Sequence, residues 1–145
     1  MSVPTVAVSL GGLRSPVSAG RLAAAAALVL RAEKANAALL SITLLGRLRM
    51  SAMNRRHFEH RRATDVISFG FRDPAGAVIG DVYICPEVAS VNARRYGVPV
   101  REELLRLVVH GTLHALGHEH PEGATRERSP MWRRQERLLA RVLRS

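Results

Sequence analysis

Histidines are concentrated in one short stretch of this 145-residue chain, VVHGTLHALGHEH at residues 108–120, which holds four of the six. The stretch overlaps residues 101–116, which we predict to form the long central helix, with two glutamates in its first turn where carboxylates favour the helix dipole. His110 and His114 are four residues apart, so they project from one face of that helix, a turn from each other. Two imidazoles in this arrangement can bind one metal ion.

Gly117 and His120 complete the pattern. A glycine just past the helix allows the chain to leave it with a positive φ, and His120 can then turn back as a third ligand. The frame H-x-x-x-H-x-x-G-x-x-H is the zinc-binding frame of one class of metalloproteases. A lone histidine would usually be an ordinary buried or solvated side chain, but three at this spacing favour a metal site. Three nitrogen ligands leave a tetrahedral position open, as in catalytic zinc sites, although nickel, copper or iron would also accept them.

The residue after His110 distinguishes this chain from the proteases. Those enzymes carry a glutamate there as the general base, whereas this chain has Gly111. Peptide hydrolysis by that route is therefore disfavoured. Attack by a metal-bound hydroxide on a phosphodiester, or on another electrophile that needs less help from a general base, is favoured instead. We also expect the missing side chain to leave room for a bulky substrate beside the metal.

Two further residues of the stretch are candidate catalytic groups. Glu119 precedes a ligand, and it could serve as a general base or as a hydrogen-bonding partner that orients the ligand. His118 is four residues from His114 and could replace His120 as a ligand. If Gly117 ends the helix, His118 is expected to line the cleft instead.

The remaining segments predict an α+β fold, a small mixed four-stranded sheet with about five helices, formed by residues 1–145 as one domain. The turn chemistry of residues 73–78 predicts a hairpin between the third and fourth strands. Ser129 is the expected N-cap of the last helix, whose core or capping residues include Trp132. The predicted strands are residues 5–10, 38–45, 65–71 and 79–85, and the predicted helices are residues 16–35, 48–58, 87–96, 101–116 and a last one to about residue 143.

A formal net charge of +10 indicates a polyanionic partner, with nucleic acid the first choice and an anionic membrane surface the second. The basic residues are almost all arginine, which suits bidentate phosphate contacts, although a GC-rich genome would produce the same bias. Arg55, Arg56, Arg61 and Arg62 form a basic cluster that is either a phosphate-binding surface or an ordinary solvated face.

Cysteine usage agrees with a reducing cytoplasm, because Cys85 is the only cysteine and no internal disulfide can form. The apolar run at residues 22–30 is too short to span a membrane. A secretory signal peptide is disfavoured because this run begins far from Met1 and follows a strand-like segment.

With these motifs in view, the chain resembles the bacterial YbeY family of metal-dependent endoribonucleases. The family signature H-G-x-L-H-L-x-G-Y-D-H is written here as HGTLHALGHEH, residues 110–120. The departures are Ala115, His118 and Glu119, and His118 adds an ionisable group beside the metal. Two more family motifs follow the same order along the chain, T-[DN]-V-[LI]-S-F at residues 64–69 and G-D-[IV]-x-I at residues 80–84.

The resemblance extends over residues 45–140, and its last element is a methionine followed by a helix with a glutamate, here Met131 and Glu136. One departure concerns catalysis. The family usually has an arginine four residues after an asparagine, and counting from Asn54 that position is Phe58. The neighbouring arginines are candidates to supply the missing charge.

The resemblance implies a zinc-dependent endoribonuclease, specific for single strands, that acts in ribosomal RNA maturation and ribosome quality control. It implies processing of the 3′ end of the small-subunit ribosomal RNA, with His110, His114 and His120 holding Zn²⁺. The implied partners are single-stranded ribosomal RNA, small-subunit ribosomal proteins and an Era-type GTPase, in the cytoplasm.

Two other functions remain open from the residues alone. One is an RNA-binding ribosome assembly factor whose zinc is mainly structural, and the other is a metal-dependent hydrolase of a different substrate. A structural site should melt when the metal is chelated, whereas a catalytic site can lose activity alone. RNA binding with a steep salt dependence would disfavour the second alternative.

Overall fold

A computed structural model describes residues 3–58, 65–121 and 123–145. Within those ranges it contains four strands, five α-helices and one 3₁₀ helix. In chain order these are β1 Thr5–Ser9, α1 Ala19–Ala32, β2 Leu39–Leu44, α2 Arg47–Phe58, β3 Val66–Arg72, β4 Val78–Ile84, α3 Pro86–Tyr96, α4 Val100–Ala115, the 3₁₀ helix Gly123–Arg128 and α5 Pro130–Arg144. The α+β class, the mixed four-stranded sheet and the five helices are confirmed.

Most helix and strand ends agree with the predicted bounds to within about two residues, and α1 is the main difference. It begins at Ala19 rather than at residue 16 because the Ser18 hydroxyl accepts a hydrogen bond from the Arg21 backbone N–H, at 3.1 Å. That bond satisfies one of the unpaired donors of the first turn and so defines the helix start. The predicted cap at Ser129 is confirmed, since its hydroxyl accepts from the Trp132 backbone N–H at 3.2 Å.

The strand order is β1-β2-β4-β3. Strand β1 pairs with β2 and β2 with β4 in parallel, whereas β3 and β4 form the predicted antiparallel hairpin. The Asp73 carboxylate stabilises the hairpin turn by accepting from the backbone N–H groups of Ala75 and Ala77, both at 2.9 Å. Parallel strands require a crossover, and α1 supplies it between β1 and β2.

Helix α4 packs against the β3–β4 hairpin so closely that glycine is required at the contact. A Cβ atom at Gly111 would lie 2.6 Å from Cγ1 of Val82 and 3.0 Å from Oγ of Ser68. Across the same contact, a Cβ at Gly70 would overlap the Ala115 carbonyl oxygen. Gly111 is therefore the point at which the helix meets the sheet.

This close approach corrects one expectation. Gly111 does not leave room for a bulky substrate, because the space that its side chain would occupy is filled by the sheet residues Val66, Ser68 and Val82. The Ser68 hydroxyl also donates to the Gly111 carbonyl oxygen at 2.8 Å. A glutamate at this position would point at the sheet rather than at the histidine cluster.

The sheet has a large apolar core on the α4 side and a smaller cluster on the other. The main core joins buried residues of α1, α4 and α5 with inward-facing residues of β2 and β4. The second cluster is formed by Leu45, Met50, Ile67 and Cys85, so Cys85 is a fully buried packing residue at the end of β4. No helix in the described ranges has both the length and the apolar character needed to cross a membrane.

Candidate metal site and adjoining cleft

Three histidine rings converge at the end of α4. The ring centroids of His110 and His114 are 4.5 Å apart, and the His120 centroid is 5.1 Å from the first and 4.9 Å from the second. One ligand nitrogen from each of the three lies within 4.8 Å of the other two. The His110, His114 and His120 group could therefore hold a metal ion.

The local sequence explains this convergence. Helix α4 places His110 and His114 on one face, a turn apart, and the helix ends at Ala115. Gly117 follows with φ of +100°, and its N–H donates to the His114 carbonyl oxygen while the His118 N–H donates to that of Leu113. This pair of bonds is the Schellman arrangement, which turns the chain back on itself. Its result is that residue 120 returns to the helix face it has just left.

Each of the three imidazoles has an oxygen acceptor at its Nδ1 atom. His110 Nδ1 lies 2.5 Å from the Gln135 side-chain oxygen, His114 Nδ1 lies 2.9 Å from the His118 carbonyl oxygen, and His120 Nδ1 lies 3.0 Å from the Pro121 carbonyl oxygen. A carbonyl oxygen accepts but does not donate, so each Nδ1 carries the proton. In the neutral form of each ring, Nε2 then carries the lone pair that a metal ligand needs.

Burial also keeps the two helix histidines neutral. Burial lowers the pKa of His110 to about 3, against the hydrogen bond that its Nδ1 donates to Gln135 and with help from the charges of His114 and Arg126. Burial likewise lowers the pKa of His114, and the neighbouring His120 adds to the effect. Because a metal binds only the neutral imidazole, protons do not compete with the metal at these two positions near neutral pH.

These lowered pKa values predict that the metal-free protein loses stability in acid. An unfolded histidine takes up a proton near pH 6.5, whereas folded His110 does so only near pH 3. Between these values the unfolded state binds more protons, so the free energy of unfolding falls by about 1.4 kcal/mol per pH unit for this group. We expect a lower urea midpoint at about pH 5 than at about pH 7. His110→Gln should flatten this dependence, and equal slopes for the variant and the wild type would contradict the assignment.

Gln135, the partner of His110, belongs to a partly buried polar network. Gln135 is 1% exposed, and its amide nitrogen donates to Glu136 at 3.0 Å. Glu136 in turn forms an ion pair with Arg106 at 3.0 Å, and Arg106 also binds Glu102 and Glu103. This network connects α4 to α5 and holds the Gln135 oxygen towards His110.

Removing the Gln135 side-chain oxygen should weaken metal binding without removing a metal ligand. We expect Gln135→Leu to lower zinc affinity by about 10- to 100-fold, as outer partners of metal-bound histidines typically do, because His110 loses the acceptor that fixes its tautomer. Gln135→Glu keeps the acceptor for His110 but replaces the amide that donates to Glu136 with a second carboxylate, so its zinc affinity should lie between those of the wild type and Gln135→Leu. Competition with a chromophoric chelator measures both affinities, and an unchanged affinity in Gln135→Leu would refute the role.

The histidines face a cleft of about 830 Å³, whose lining includes β3 and the loop after α4. Glu119 is exposed on its wall, close enough for its charge to raise the pKa of His114 against the effect of burial. His118 also lines the cleft, but its Nε2 lies 2.5 Å from the Glu33 carboxylate, which also binds Arg134 at 2.7 Å. The His118 ring is thus directed towards Glu33 rather than towards the other three histidines.

The predicted RNA-binding arginines lie apart from this cleft or outside the described ranges. Arg55 and Arg56 are exposed on α2 and do not contribute to the lining of the cleft, although their neighbour Asn54 does. Arg61 and Arg62 lie outside the described residues.

Sequence reasoning missed two residues at this site. Gln135 has no local signal, because its contact with His110 spans 25 positions. Arg126 lies in the 3₁₀ helix that follows the last histidine and lines the cleft beside the histidines. Its place shortly after the metal-binding frame was the only sequence signal for it.

Comparisons with known proteins identify the family of this chain. The family model described as "Endoribonuclease YbeY" matches residues 17–143. A Micrococcus luteus protein named endoribonuclease YbeY is 38% identical, with 71% of this chain and 69% of the relative covered. A protein of that name from Chlorobaculum parvum is 37% identical, with 83% and 84% covered, and one from Anaeromyxobacter dehalogenans is 42% identical, with 74% and 56% covered.

A solved structure shows the same fold. The solution structure of a Thermotoga maritima protein aligns with 95% of this chain, and 89% of that protein is covered, at a TM-score of 0.64 and 22% sequence identity. The family model spans most of the chain and includes the metal-binding frame. The chain therefore belongs to the YbeY family.

Proposed function

We propose that this protein is a zinc-dependent endoribonuclease that cleaves single-stranded RNA during ribosomal RNA maturation. The observation that carries the proposal is the cluster of three converging imidazoles, each with its Nδ1 hydrogen-bonded to an oxygen, at the wall of an open cleft in a YbeY-family chain. Proteins of this family that resemble the chain are named endoribonucleases, and RNA is the substrate that the name gives them.

Zinc is the proposed metal because three imidazole nitrogens suit it and leave one coordination position free. When bound, such a metal supplies a Lewis acid for the phosphate and an activated water. The protein's own part is to hold the three rings converged, with each Nδ1 bonded to an oxygen so that Nε2 is left to face the metal. The exposed Glu119 carboxylate on the cleft wall is the proposed proton acceptor.

The main role proposed for His118 is to position the His114 ring. Its ring binds Glu33, while its carbonyl oxygen accepts from Nδ1 of His114. Arg134 binds the same Glu33 and ties the loop after α4 to α1 and α5. The pair of contacts made by His118 thereby holds the His114 ring in the tautomer that presents Nε2.

The proposed substrate is single-stranded ribosomal RNA, including the 3′ end of the small-subunit RNA. A net charge of +10 favours a polyanion, and an open cleft admits a flexible strand more readily than a rigid duplex. Arg55, Arg56, Arg61 and Arg62 are proposed to hold the strand outside the cleft. Small-subunit ribosomal proteins, an Era-type GTPase and a cytoplasmic location complete the proposal, with the family as their support.

The test is cleavage of one labelled RNA in two forms. Zinc-loaded protein should cut the single strand at internal positions and cut the same strand much more slowly when it is annealed to its complement. A chelator should abolish cutting and added zinc should restore it. Cutting that continues in the chelator, or that is equal on the duplex, would contradict the proposal.

A ribosome assembly factor with a structural zinc is the second candidate, favoured by the position of Arg55 and Arg56 away from the cleft and by Phe58 at the family arginine position. Chelation distinguishes the two. Helix α4 is already buried by apolar contacts along its length, so the enzyme should stay folded without metal. Loss of the helical circular dichroism signal on chelation would favour the structural site.

A further inference from the structure

A second cleft of about 670 Å³ adjoins the metal cleft. The two clefts share three lining residues, Asp65, His110 and Arg126. His110 thus contributes to the walls of both, so an RNA strand bound in the metal cleft would lie beside the second cleft. The volume lies within the range of sites for small ligands and is ample for one nucleotide.

The second cleft is lined by two aromatic side chains. Tyr96, at the end of α3, is 62% exposed and lines it, together with Trp132 from the first turn of α5. Exposed tyrosine at the mouth of a cleft provides a flat face for a base. Asn92 and Asp65, joined by a 3.1 Å hydrogen bond, add polar atoms to the same lining.

Arg126 lies where the two clefts meet. Its guanidinium carbon is 5.6 Å from the centroid of the Trp132 ring, and its Nε atom is buried with no hydrogen-bond partner among the residues described. The charge of Arg126 also reaches the metal site, because it lowers the pKa values of His110 and His114. An arginine held on an aromatic ring beside a metal site is well placed to bind a phosphate.

We propose that the second cleft is a subsite for the nucleotide next to the scissile phosphate, with the base against Tyr96 and the backbone phosphate on Arg126. The proposal rests on the proposed endoribonuclease function and names how that site holds its substrate. It also gives a source for the charge missing at Phe58, since Arg126 supplies an arginine to the metal cleft from a different segment of the chain.

The only tryptophan of the chain makes this subsite directly observable. Zinc-loaded protein is titrated with a single-stranded 2′-O-methyl oligonucleotide whose integrity is checked on a gel, and Trp132 emission is recorded. Occupation of the cleft should change the emission saturably. Tyr96→Ala and Arg126→Gln should each weaken binding by about tenfold or more, as expected for one stacked base or one phosphate contact.

Arg128→Gln is the matched control, because Arg128 is an exposed arginine of the same 3₁₀ helix and lines neither cleft. It should leave affinity within about twofold, and only Arg126→Gln should lower the salt dependence, by a slope of about one. Equal weakening by both arginine variants would mean that only general charge matters, and it would overturn the subsite. Zinc content measured on every variant shows that the metal site is intact.

The outcomes separate this inference from the function on which it rests. RNA cleavage without a saturable change in Trp132 emission would refute the subsite and leave the endoribonuclease in place. Saturable binding that depends on Tyr96 and Arg126, by a wild-type protein that cuts no RNA, would support the subsite and refute the proposed activity.

Discussion

Replacement of His114 by alanine should nearly abolish zinc binding. The change removes one of three ligand nitrogens that lie within 4.8 Å of one another, and the two that remain cannot hold the ion as a chelate of the same strength. Loss of an outer partner already costs about 10- to 100-fold in affinity, so loss of a ligand should cost more than about 100-fold. Zinc stoichiometry after dialysis and competition with a chromophoric chelator measure the effect.

His118→Ala is the control for this prediction. His118 is also four residues from His114, yet its ring binds Glu33 instead of joining the cluster. The variant should keep close to one zinc per chain, with at most a modest loss of affinity, because the backbone carbonyl that supports His114 remains. Zinc retained by His114→Ala and lost by His118→Ala would reverse the ligand assignment.

The second large effect concerns Gly111 and the stability of the fold. In Gly111→Ala, the added methyl group would lie 2.6 Å from Cγ1 of Val82 and 3.0 Å from Oγ of Ser68, so α4 must move away from the sheet. Overpacking of this kind costs about 1–3 kcal/mol in the free energy of unfolding. Gly111→Glu, which would recreate the protease motif, should be worse, since it also buries an unpaired carboxylate against the sheet. Urea denaturation of the two variants measures the loss.

Gly20→Ala is the matched control within a helix. A Cβ at Gly20 meets no atom within 4 Å, so the substitution adds no clash. Alanine is a better helix former, and Gly20→Ala should be neutral or stabilising by about 0.5–1 kcal/mol. A stable Gly111→Glu protein with peptidase activity would contradict the packing account of Gly111.

The metal-binding frame shows how much of this site a local pattern can determine. His110, His114, Gly117 and His120 lie within eleven positions, so helical periodicity and one positive φ are enough to predict their convergence. The turn at Asp73 and the cap at Ser129 were predictable for the same reason, since each depends on a side chain that binds backbone a few residues away. The α+β class followed from the order of these local elements.

Contacts between distant segments could not be predicted in this way. Gly111 was interpreted as space for substrate because the sequence does not say which side of α4 meets Val82. The acceptor for His110 comes from Gln135 in α5, and the partner of His118 comes from Glu33 after α1. Each of these depends on how two helices pack, which no single segment encodes.

Together, these distant contacts explain why a glycine-containing frame can still serve a metal site. The sheet occupies the position where a protease carries its base, and the carbonyl oxygens at each Nδ1 fix the ligands without it. A proton acceptor would have to come from elsewhere on the cleft wall. Glu119 is exposed on that wall and directly precedes the ligand His120 in the sequence.

The central claim is that metal held by these histidines is required for RNA cleavage. Its most direct test is single-turnover cleavage of a labelled single-stranded RNA by wild type and His114→Ala, purified identically, with zinc content measured on the same samples. We predict that the wild type cuts in proportion to its bound zinc and that the variant, with little zinc, does not cut. Equal cutting by the two proteins would place the activity outside this site and contradict the account.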